Sequence, residues 1–158
     1  MSWYLDFIGY QFPNMGFVVK EIAILHSDGD RCYNYFITGP KYAKIDDYMT
    51  YNYQYDLHNL RWEWGDYEFM EALEDIAKKL KRDTVYMKGA EKCAYMSTLF
   101  PYATFIELEN IPAFKQLNNC IHERCDVKHG NHCARRKVYE LKHAVDNYKD
   151  DEISIFGN

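Results

Sequence analysis

Apolar and polar positions alternate along the opening stretch of the chain and later change period. Residues 3–12 are dense in aromatic and aliphatic side chains and read as a strand, closed by the turn signal Pro13-Asn-Met-Gly16. Residues 17–25 predict a second strand, with Phe17, Val19, Glu21 and Ala23 on one face and Val18, Ile22 and Ile24 on the other. Ser27-Asp-Gly-Asp30 turns the chain again, and residues 32–38 predict a third strand ending before Gly39-Pro40. Three strands joined by short turns make an antiparallel meander. Residues 42–59 are rich in Tyr and Asp, follow no period, and predict a long surface connection.

Beyond that connection the helical period takes over. Asp66 is placed to cap a helix whose Phe69, Met70, Leu73, Ile76, Ala77 and Leu80 form an apolar stripe. Residues 84–88 read as a short strand, Gly89 as a turn, residues 91–100 as a helix and 103–108 as another strand. A helical turn is expected over 111–117. Ala134, Val138, Leu141 and Val145 fall at the spacing of a final amphipathic helix. The predicted order is β-β-β-α-β-α-β-α, a mixed sheet with helices on its faces. It forms one domain over residues 1–146, followed by an acidic tail over 147–158 that is expected to fray.

Composition narrows this picture. The 158 residues are enough for one hydrophobic core without staples. Fifteen Tyr and nine Phe are many for that length, and most belong in the core or on half-buried strands. No apolar run reaches membrane-spanning length, which excludes a transmembrane segment. The N-terminus lacks the order of a secretory signal and the cysteines are odd in number, five in all. Reduced thiols in an intracellular setting, cytoplasmic or nuclear, are therefore expected. A net charge of −5 argues against nucleic-acid binding over the whole surface and leaves room for a local basic patch.

The densest chemistry lies between Cys120 and Cys133. Those fourteen positions hold Cys120, His122, Cys125, His129, His132 and Cys133, whereas residues 1–119 hold two Cys and two His. Thiolates and imidazoles at such close spacing suit a tetrahedral zinc ion, here clamping a loop to the start of the last helix. Cys125, His129 and Cys133 are the leading ligands, and by spacing alone His132, His122 or Cys120 would complete the set. Four protein ligands leave no open position, so such a zinc is structural. Cys32 and Cys93 sit in strand and helix patterns and read as core residues.

Basic residues gather in two groups. Lys78, Lys79, Lys81 and Arg82 close a helix, where cations complement the dipole. Lys128, Arg135, Arg136, Lys137 and Lys142 surround the start of the last helix, where the dipole argument fails. The second group is thus the better candidate for contacts to phosphates or an acidic partner.

The element order is that of ribonuclease-H-like folds, and short motifs sharpen the likeness to DEDD-class exonucleases. Leu5-Asp6-Phe7-Ile8-Gly9 resembles their first strand, Lys20-Glu21-Ile22-Ala23-Ile24 their second, and His132-Cys133-Ala134-Arg135-Arg136-Lys137 their last helix start. Ile8 and Lys137 stand where that class carries metal-binding acids, and the segment from Lys88 to Lys92 offers lysine where it carries another. Two-metal catalysis needs several carboxylates to hold two cations about 4 Å apart. Asp6 alone does not supply them, and it reads better as a strand-edge carboxylate neutralised by Lys92 or Lys137. No residue is assigned a catalytic role.

A closer resemblance is to the Maelstrom domain, of the same fold, which carries a zinc site of one Glu, two Cys and one His. Lys20-Glu21-Ile22-Ala23 looks like its Glu-bearing strand. Cys125-x3-His129-x3-Cys133-Ala134 looks like its Cys/His segment, with one extra residue between the first Cys and the His. Most of the chain is also similar to arthropod proteins with a Lys-Glu-Leu-Ala strand, a Tyr-x-Lys-Gly-x-Glu-Lys segment and a His-Cys-Ala helix start. The resemblance implies Glu21 as the fourth zinc ligand. It further implies a domain without two-metal nuclease activity that binds single-stranded RNA or an RNA-silencing protein complex. A weak, magnesium-independent RNA endonuclease and a pure protein-interaction module are the alternative expectations.

Overall fold

The computed structural model describes residues 1–13, 16–41, 45, 47–108 and 133–148. β1 (Ser2–Phe12), β2 (Gly16–His26) and β3 (Cys32–Phe36) form the antiparallel meander that the alternation predicts. The chain continues through α1 (Tyr48–His58), α2 (Phe69–Leu80), β4 (Thr84–Met87), α3 (Ala90–Leu99), β5 (Thr104–Glu107) and α4 (Ala134–Tyr148). The five strands lie in the order β3-β2-β1-β4-β5, with β4 parallel to β1 and β5 parallel to β4. Only β2 runs against the others. The result is an α/β fold on a mixed sheet, with one helix more among the described residues than the pattern predicts there. The helical turn expected over 111–117 lies outside the described residues.

The additional helix is α1, in the segment expected to be an irregular connection. It starts where Asp47 Oδ1 accepts from the Thr50 amide at 3.0 Å, and it stops where Asn59 turns left-handed at φ 55°. It carries no apolar stripe, so its periodicity is silent. What holds it is aromatic stacking: Tyr51 and Tyr55 stack one turn apart, and Tyr51 lies 4.8 Å from the Tyr10 ring. The cap of α2 lies two residues after the expected one. Glu68 takes the N-cap position, its amide donating to Glu71 Oε1 at 3.0 Å, while the Asp66 amide bonds to the Phe36 carbonyl.

The sheet has a helix layer on each side. On one, Leu5, Phe7, Ile22 and Ile24 pack with Ile76 and Leu80 of α2 and Met96 of α3. On the other, Tyr4, Ala23 and Leu25 pack with Ala134, Val138, Leu141 and Val145 of α4. Burying Val138, Leu141 and Val145 contributes about 1.5–3 kcal/mol each relative to exposure, which is what docks α4.

A β-bulge decides which residues of β2 face which layer. Ile8 pairs with Glu21 and Gly9 with Val19, leaving Lys20 as the additional residue. Gly9 is required there, since a Cβ would lie 2.0 Å from the Val18 carbonyl oxygen. The bulge breaks the expected alternation. Phe17 and Val19 join Ile22 and Ile24 in the α2/α3 core, while Glu21 goes with Ala23 and Leu25 toward α4. Lys20, only 1% exposed, donates to the carbonyls of Trp62 and Trp64 at 2.6 and 2.7 Å. Burial pushes its ammonium down to about 8, against the opposing charge of Glu63.

Candidate functional site

The bulge delivers Glu21 to the start of α4. The residue is 0% exposed, and both of its oxygens are engaged. Oε2 accepts from the Asn34 side-chain amide at 2.8 Å, and Oε1 accepts from the backbone amide of Ala134 at 3.0 Å, across 113 residues of sequence. Glu21 thus caps α4 from a neighbouring strand. A carboxylate is favoured there by the free N–H groups and positive end of the helix dipole.

Cys133 immediately precedes that amide and is 3% exposed. Cys32, expected in the core, is half-buried on the adjoining strand and lies within electrostatic reach of Cys133 and Glu21. Burial pushes the Cys32 thiol up, with the Arg135 guanidinium opposing. Cys93 is buried as expected, and burial raises its thiol too.

Glu21 and Cys133, two of the four expected zinc ligands, therefore meet where β2 touches α4. Each carboxylate oxygen of Glu21 accepts a described hydrogen bond. A buried carboxylate beside a buried cysteine is a donor pair that fits zinc. Cys125 and His129, the alternates Cys120, His122 and His132, and the basic Lys128 lie outside the described residues. Among the described residues no group of three or more His, Cys, Asp and Glu is placed to hold a metal.

Asn34 and Cys32 are the members of this site that motif reading missed. The signal for them lay in strand alternation. Asn34 pairs with Ala23 and Cys32 with Leu25, on the face that β2 turns toward α4.

The second feature is Asp6, buried on β1. β1 is the central strand of the sheet, and its described pairing with β4 ends at Tyr4, short of Asp6. The expected lysine is there. Lys92, in the first turns of α3, places Nζ 2.8 Å from Asp6 Oδ1 and 2.8 Å from the Phe7 carbonyl oxygen. The same ammonium lies 5.1 Å from the centre of the Phe7 ring. Gly89 at φ 110° and the bond from its amide to Glu107 Oε1 set the start of α3, and with it the reach of Lys92. Lys137, the other lysine considered for Asp6, stands 3.4 Å from Glu140. Ile8 lies opposite Glu21 in the β1–β2 register.

The basic residues of α4 do not present a row of free cations. Arg136 is 2% exposed, so its guanidinium is turned inward. Arg135 is half-buried and interacts with Tyr139. Lys137 pairs with Glu140 and Lys142 with Asp146. Burial was not legible in the sequence, because two adjacent arginines at a helix start look alike until the helix is docked. No helix among the described residues is long and apolar enough to cross a membrane.

Comparison with protein-family models finds none that matches the chain, and comparison with curated proteins finds no match either.

Proposed function

We propose that this chain is a ribonuclease-H-like domain without two-metal nuclease activity, in which a structural zinc clamps the last helix to the sheet. Its work on this reading is binding, with single-stranded RNA or an RNA-silencing protein complex as the partner class and an intracellular site of action. The observation that carries the reading is the Lys92 ammonium on Asp6. A fixed positive charge 2.8 Å from the central-strand carboxylate opposes binding of a divalent cation at the same oxygen. The strand order β3-β2-β1-β4-β5, with β2 alone reversed, supports the fold assignment.

For the zinc, the supporting observation is the convergence of Glu21 and Cys133 at the start of α4. Cys125 and His129 would complete the set. The metal would supply a cross-link between strand and helix, with no open position for chemistry.

One observation favours a second reading, a protein-interaction module of the same fold. The cations on α4 that would meet phosphates are buried, half-buried or ion-paired.

Metal analysis, a salt series of RNA titrations and a cleavage assay separate these readings. One zinc per chain with salt-dependent RNA binding is expected. Absence of binding even at low salt moves the assignment to protein interaction. RNA cleavage that persists in EDTA moves it to a metal-independent endonuclease.

A further inference from the structure

The C-terminal ends of α2 and α3 enclose a groove of about 490 Å³ whose lining differs from the surface around it. Buried Leu80 and Phe100 and half-buried Leu99 give it an apolar floor, and exposed Lys81, Arg82, Pro101 and Tyr102 line it as well. No carboxylate lines it, although the whole chain carries a net charge of −5. Tyr102 is 74% exposed, and the Arg82 guanidinium carbon lies 5.9 Å from the centre of its ring. Lys81 and Arg82 are exposed, and neither joins the ion pairs of the described residues. Helix-dipole complementation is already supplied by Lys78 and Lys79 in the last turn of α2. Lys81 and Arg82 lie past that turn, at the C-cap and just beyond it.

We propose that this groove seats one nucleotide of a single strand, its base on the Tyr102 ring and its phosphates on Lys81 and Arg82. The inference rests on the binding function proposed above and moves the contact from α4 to the opposite layer of the fold. The volume lies within the range of about 300–1,000 Å³ usual for small-ligand pockets. The carbonyl ends of α2 and α3 disfavour an anion on the floor. The uncharged base therefore stacks on Tyr102 with one edge over the apolar floor, and the phosphates stay outside on the cations. Aromatic stacking tolerates any base and cation–phosphate contacts carry no sequence, so recognition here is of the strand, not of its sequence.

The test is fluorescence titration of the full chain with a labelled oligouridylate between about 50 and 200 mM salt. The parent is compared with Lys81→Glu/Arg82→Glu, Tyr102→Ala and Tyr102→Phe. All three positions are exposed, and melting temperature serves as the check that each variant is folded. The charge-reversed variant is expected to bind at least about ten-fold more weakly, with its log–log salt slope reduced by about 1.4 for two lost phosphate contacts. Tyr102→Ala is expected to weaken binding about ten-fold, while Tyr102→Phe keeps the stacking ring and binds as the parent does. If the parent binds and all variants match it, or only the charge reversal matters, the groove is overturned and the RNA-binding function stands. If the parent fails to bind even at the lowest salt, both fall.

Discussion

Asp6 and Lys92 tie the central strand to α3 through one ion pair. The carboxylate is buried on the central strand and its ammonium partner is only partly shielded, so the pair falls between surface and core in strength. Lys92→Met would leave Asp6 buried without its cation and is expected to cost about 1–3 kcal/mol. Asp6→Asn in the same background should recover part of that loss. Urea unfolding of the four forms should give a coupling energy of at least about 0.5 kcal/mol, and additive effects would count against the pair. Tyr35 gives a second residue-level test. Burial, reinforced by its hydrogen bond to Asp75, pushes the phenol up to about 12. A raised folded value means the contribution to stability is complete below about pH 10, the value of an unfolded tyrosine, and is lost as pH rises toward 12. Unfolding free energy should decline from pH 10 upward, and Tyr35→Phe should flatten the decline. An equal slope in the variant would remove Tyr35 from the account.

Among the elements, α4 takes its first cap from a residue 113 positions away. Its apolar stripe docks it on β1 and β2, and Glu21 supplies the acceptor for its first amide. Glu21→Ala would leave the Ala134 N–H and the Asn34 amide without that acceptor, at a cost of about 1–3 kcal/mol. Glu21→Gln keeps an acceptor oxygen and should cost less, and on the proposed zinc site both variants should lower zinc content. Hydrogen exchange at the first turn of α4 reads the capping effect, and metal analysis reads the ligand effect. Unchanged exchange in Glu21→Ala would show that the cap is dispensable, and unchanged zinc would pass the fourth ligand to His132, His122 or Cys120. α1 teaches the converse lesson. Its stability comes from a capping Asp47 and stacked tyrosines rather than from an apolar stripe, so a search for helical periodicity passes over it.

For the molecule as a whole, the proposed zinc joins the two ends of the sequence. A chelator strong enough to strip the metal should lower the melting temperature by several degrees, since about 1 kcal/mol is worth roughly 2–8 °C in domains of this size range. Melting that is indifferent to chelation would refute the clamp. On the proposed reading, addition of magnesium or manganese should leave single-stranded RNA intact, because the Lys92 ammonium beside Asp6 opposes a divalent cation there. Mononucleotide release that requires the metal and disappears in Asp6→Ala would overturn that account.

The sequence by itself determined most of what is local. Alternation placed the three strands of the meander, and the apolar stripes placed α2 and α4. Each of these signals lies within a few residues of chain, where side-chain period and backbone geometry are linked directly. Tertiary structure decided the rest. The bulge at Lys20 depends on how β2 pairs with β1, and it moved Val19 into one core and Glu21 toward the other layer. The docking angle of α4 buried Arg136 and left Lys137 with Glu140, while the start of α3 aimed Lys92 rather than Lys137 at Asp6. A charge on a helix reads the same in sequence whether it meets water, a carboxylate or a phosphate, and only the packing of one element on another selects among them.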